Sequence, residues 1–151
     1  MFDWKHSALV VVVLLWAGIL FGVSFLATPA KFGAPNLTLS VAVEVGRSTF
    51  SALNRVELGG AVLVIGLLLA GASRQAGVWF ASGLALLGLL LQTLWLLPVL
   101  DERAQVVING GTPPASVLHE VYITVDAARF LALVAVAFFL LSEQDVDAAE
   151  D

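Results

Sequence analysis

Four apolar runs divide the chain: Ser7–Ala27, Leu53–Gly71, Val78–Leu97 and Val121–Leu141. Each approximates the ~20 residues that carry a helix across ~30 Å of hydrocarbon. The ten-residue alternating segments of a membrane barrel are not present in the sequence. The pattern therefore predicts an all-α fold, a four-transmembrane-helix bundle. Asp3 is a cap for helix 1, which Thr28-Pro29 is expected to stop after Ala27. Asn36 is the expected cap of a long helix 2 over Leu37–Gly71. The turn Ser73–Gly77 is short enough to make helices 2 and 3 antiparallel neighbours. Pro98 should kink helix 3 rather than end it, the helix continuing through Gln105 before the loop Asn109–Pro114. Ser116 caps helix 4, expected to run to about Ser142. Helices 2 and 3 then project beyond the membrane on the side away from the termini.

The polar positions interrupt this pattern at particular places. On helix 2, Ser40, Glu44, Arg47, Ser51, Asn54 and Arg55 share a stripe of about 100°. On helix 4, His119, Tyr122, Asp126 and Arg129 are spaced i, i+3, i+7, i+10 and share another. A rise of ~1.5 Å per residue puts Ser24, Arg55, Glu57, Gln92, Asp126 and Arg129 at a common level, roughly 20–28 Å from the termini face. A lone charge that deep costs at least ~2.5 kcal/mol, so such groups face inward and pair. The expected pairs are Arg55 with Asp126 and Glu57 with Arg129, the stripes of helices 2 and 4 facing each other. The candidate ligand-binding set is Glu44, Arg47, Asn54, Arg55, Glu57, Gln92, His119, Tyr122, Asp126 and Arg129.

Composition sharpens the class. Of 151 residues 60% are hydrophobic and 13% charged, with a mean hydropathy of +0.97. Soluble domains carry about 25% charged residues. With no cysteine and one methionine, thiol, disulfide and copper(I) chemistry have no ligands. His6 and His119 belong at opposite faces, which excludes bis-histidine haem, and two isolated histidines do not make a zinc site. Gly59, Gly60, Gly83 and Gly88 read as packing glycines rather than a phosphate loop. No cofactor, metal or catalytic residue is predicted, and no basic patch invites nucleic acid. Five of the twelve acids lie in Glu143–Asp151, so the expected organisation is one transmembrane domain, 1–142, and an acidic disordered tail, 143–151. Lys5 ahead of an apolar run resembles a signal peptide, but the run exceeds the usual h-region and is taken as a retained helix. Lys31, Arg47 and Arg103 outnumber Lys5 and Arg74, which favours extracytoplasmic termini in a prokaryotic plasma membrane. Gly18 and Gly22 form a close-packing step, within the bundle or against a second copy. Trp4, Trp79 and Trp95 fall at belt positions, and Trp16 nearer mid-span.

The block LLWAGILFGVSFLATPAKF followed by VGRSTFSALNRVE resembles small uncharacterised bacterial membrane families of the copper-resistance-D and transmembrane-protein-205 types. The matching elements are Gly18 and Phe21–Phe25 before Pro29 and Phe32, then Gly46 and Phe50. The resemblance covers about the first 60 residues and implies a four-helix membrane protein, without assigning a functional residue. Three functions are compatible with the polar constellation. The first is a non-enzymatic protein whose charged cluster binds or passes a small polar or amphipathic ligand, as a transporter does. The second is a structural or accessory subunit whose long helices dock a partner protein, the charges serving only to fix register. The third, least favoured, is an enzyme acting on a lipid or quinone with His119 or Asp126 as acid or base.

Overall fold

The computed structural model describes residues 3–150, with side chains described for residues 3–143. It is an all-α bundle of four helices: α1 (Trp4–Lys31), α2 (Leu39–Leu69), α3 (Ala76–Ile108) and α4 (Leu118–Glu150). All four are long and apolar enough to cross a membrane, as expected of a multi-pass membrane protein. With 31 and 33 residues, α2 and α3 are about 46 and 50 Å long, well beyond the ~30 Å hydrocarbon layer. Around the ring α1 packs on α2, α2 on α3, α3 on α4 and α4 on α1, which leaves α2 and α4 diagonal.

Large side chains such as Leu9, Val13, Val64, Leu68, Leu133 and Leu140 fill the half nearest the termini. That half is also clamped at its polar edge. Lys5 Nζ donates to the carbonyl of Ala70 at 3.0 Å, satisfying an acceptor that the end of α2 leaves open. His6, buried, places Nδ1 3.2 Å from the Ala72 carbonyl and Nε2 3.1 Å from that of Leu140. A neutral ring can donate to only one of these two oxygens. The α2–α3 turn is made by Gly71 at φ +86, a conformation that favours glycine.

One helix departs from its expected end at a proline, and another passes its proline as expected, by the same device. α1 does not stop at Ala27 but continues through Thr28-Pro29 to Lys31, and α3 continues through Pro98 to Ile108. Each proline follows a π-helical turn, Gly22–Ala27 in α1 and Gln92–Leu96 in α3. A proline removes a backbone donor and crowds the preceding turn, and the wider π turn relieves both problems. In α1 the Thr28 hydroxyl donates to the carbonyl of Val23 at 2.8 Å. At the other boundary the helical backbone of α4 continues past Ser142 to Glu150. A helix already nucleated extends at little cost through formers such as Ala148 and Ala149. The side chains from 144 onward, and Asp151, lie outside the described residues.

Candidate functional site

The residues picked out by the polar pattern divide into two groups at different levels of the bundle. The deeper group is an enclosed ionic node. Arg129 and Asp126 rise from α4, Glu57 from α2, Gln92 from α3, and each is no more than 2% exposed. Arg129 donates through Nη2 to Glu57 Oε1 and through Nη1 to Gln92 Oε1. Its Nη1 also lies 3.3 Å from Asp126 Oδ1. Gln92 Nε2 completes the ring, donating to Asp126 Oδ1 at 2.7 Å and to the carbonyl of Tyr122 at 3.3 Å. The expected pair Glu57–Arg129 is therefore formed, across the diagonal of the bundle.

The fifth member comes from α1. Trp16, 4% exposed, donates its indole N–H to Glu57 Oε1 at 3.0 Å. Sequence reasoning left Trp16 aside as neither belt residue nor ligand. The usable signal was its position, since an indole N–H near mid-span must find an acceptor within the protein. One glycine makes room for this group, and a second lies against its edge. A Cβ at Gly88 would lie 2.6 Å from Arg129 Cγ and 2.8 Å from Cδ, so α3 can approach α4 here only without a side chain. At Gly60 the Trp16 ring lies 3.4 Å from where a Cβ would sit. Ser24, on the π turn of α1, sits beside Asp126 without closing a hydrogen bond to it. Asp126 Oδ2 and Arg129 Nε are buried without a partner among the described residues.

The expected pair Arg55–Asp126 is not formed. Arg55 is exposed and donates from Nε to the Ser51 carbonyl and from Nη2 to the Ser51 hydroxyl, both at 3.2 Å. The reason is angular. Arg55 and Glu57 lie about 200° apart around α2 and cannot both face the bundle axis. The residues that α2 buries are Ala42, Gly46, Leu53, Glu57, Ala61, Val64 and Leu68, so the core face passes through Glu57. The polar stripe of Ser40 to Arg55 is turned about 120° from it, toward α3. Asn54 accordingly donates to Thr93 Oγ1 on α3 at 2.7 Å. Arg47 forms a two-point ion pair with Asp101, its Nη2 2.9 Å from Oδ2, and donates from Nη1 to Gln105 Oε1 at 2.7 Å.

Above the node, at the end of the bundle away from the termini, the helices enclose an open cavity of about 950 Å3. Glu44, Arg47, Asn54, Arg55, His119 and Tyr122 line it, whereas Glu57, Gln92, Asp126 and Arg129 do not. Tyr122, 3% exposed, belongs to both levels: its ring meets Phe50 edge-on at 5.3 Å, and its carbonyl takes the Gln92 amide. Lys31, Arg103 and Phe50 also line the cavity. Of the two candidate acid–base groups, His119 lines this cavity and Asp126 does not.

Fold and site together define the class: a four-helix bundle of membrane-spanning length with a sealed ionic node beneath a cavity at the end away from the termini. Comparison with protein-family models, curated proteins and solved structures finds no match to this chain.

Proposed function

We propose that the protein is a non-enzymatic membrane protein that binds or passes a small polar or amphipathic ligand through the cavity opposite the termini. The single observation that carries this reading is the convergence of six of the ten sequence-selected residues on that one cavity. Its volume of about 950 Å3 is at the upper end of the roughly 300–1,000 Å3 typical of small-molecule sites. In this reading the node is the floor: its groups are engaged with one another and keep the four helices in register. The cavity mouth carries Lys31, Arg47 and Arg103 against Lys5 and Arg74 at the termini face, which supports a cytoplasmic mouth in a prokaryotic plasma membrane.

Native mass spectrometry of the protein released from a mild detergent tests the binding. We expect a retained small molecule that Ala104→Trp, which fills the cavity from α3, expels. A chain that emerges bare in both forms contradicts the reading. The orientation is open to a separate check because the chain has no cysteine. A Ser51→Cys variant should resist a membrane-impermeant maleimide in intact cells and react in inverted vesicles; the opposite pattern reverses the topology.

A further inference from the structure

The charges around the cavity are unequally matched. Lys31, Arg47, Arg55 and Arg103 line it, against Glu44 and Asp101. Asp101 is occupied by Arg47 through both carboxylate oxygens. Among the described residues, Lys31, Arg55 and Arg103 have no carboxylate within ion-pair distance. They come from three helices, α1, α2 and α3, so their convergence is a property of the fold rather than of one basic stretch. Arg103 engages only the Pro114 carbonyl and Arg55 only Ser51, which leaves several of the five donors of each guanidinium free. The Lys31 ammonium lies over Gly46 of α2, where a Cβ would stand 2.6 Å from Nζ. The ammonium also stands 5.2 Å from the centre of the Phe32 ring.

Depth and wall chemistry complete the selection. Arg55 lies fourteen residues from the end of α2 at Leu69, about 21 Å along the helix, while Lys31 and Arg103 lie about 40 Å along α1 and α3, beyond the ~30 Å hydrocarbon layer. Lys31 and Arg103 therefore stand at the level of lipid headgroups, and Arg55 reaches toward them from deeper in the bundle, its guanidinium turned back to Ser51. Between them the wall is mainly apolar, with Val43, Phe50, Leu97, Leu100 and Val107. An inorganic anion would leave most of about 950 Å3 and these side chains unused, and a neutral amphiphile would leave the cations unanswered. Resting on the proposed function, we infer that the cavity takes an amphiphile with an anionic headgroup, a phosphate or carboxylate, held by Lys31, Arg55 and Arg103. Its apolar chain lies along the Phe50–Leu97 wall.

The membrane-embedded and the free sources of such a molecule are separated by two probes. In mixed micelles containing equimolar palmitoyl-oleoyl phosphatidylglycerol and phosphatidylcholine, native mass spectrometry should show the anionic lipid retained at least tenfold over the zwitterionic one. Monododecyl phosphate, added as a soluble single-chain probe, should compete with it. Binding of monododecyl phosphate without phosphatidylglycerol assigns a free amphiphile and still supports the inference. Lys31→Gln and Arg55→Gln should each lower the preference about fivefold, the effect of one basic residue facing an anionic surface, and the pair should abolish it. Lys31→Arg with Arg55→Lys should restore it, which excludes misfolding, and Arg74→Gln at the far face should change nothing. Equal retention of both lipids that Ala104→Trp still abolishes overturns the anionic class while leaving the cavity a binding site. Retention that Ala104→Trp does not alter overturns both.

Discussion

The molecule contains the same chemistry, an arginine against an aspartate or glutamate, in two opposite settings. Glu57–Arg129 has side chains 2% and 1% exposed, while Arg47–Asp101 at the cavity mouth has side chains 40% and 45% exposed. Removing one partner of the exposed pair lets water take its place, so little is lost. Removing one partner of the buried pair strands a charge among apolar side chains with nothing to replace it. The two pairs thus differ in role as well as in strength. The inner one dictates which faces of α2 and α4 meet, whereas the outer one joins two helix extensions beside an open cavity.

Arg129→Met is the most severe way to disturb this contrast. It leaves Glu57 and Asp126 buried together without their cation, and should lower stability by about 3–5 kcal/mol, read as a loss of monodisperse protein or a fall in melting temperature in detergent. Gly88→Ala comes next. The added methyl meets the Arg129 stem at 2.6–2.8 Å, inside the closed region, and overpacking of this kind costs about 1–3 kcal/mol in thermal unfolding. Trp16→Phe keeps the ring but deletes one of the two donors to Glu57 Oε1, and should cost about 1–2 kcal/mol by the same assay. The smallest effect belongs to the outer pair: Arg47→Gln should leave the melting temperature unchanged within error. If Arg47→Gln destabilises the protein as much as Trp16→Phe does, the distinction between the two regions is lost.

The helical class, the four spans and the depth of the polar level were legible because the length and polarity of an apolar run are one-dimensional properties. Rotation about the helix axis was legible for α4, where the stripe from Tyr122 to Arg129 is also the stripe buried against the core. It was not legible for α2. There the longest polar stripe follows the cavity and α3, and the core face is marked by one acid, Glu57, among alanines, glycines and leucines. A single buried acid carries less periodic signal than six polar positions, so Arg55 was drawn inward in its place. Trp16 was missed because an indole reads as apolar in any hydropathy pattern, although its N–H obeys the same need for a partner as Gln92. The π turns before Pro29 and Pro98 left no periodic trace in their sequences, and α1 was therefore expected to end a turn too early.

The account depends most on the ion pair across the diagonal of the bundle, and a double-mutant cycle on Glu57→Gln and Arg129→Met measures it directly. If the two side chains meet as described, the losses in unfolding free energy will not add, and the cycle will return a coupling of about 2 kcal/mol or more. Losses that add to within about 0.5 kcal/mol would mean that the two groups act independently, and the sealed node would have to be abandoned.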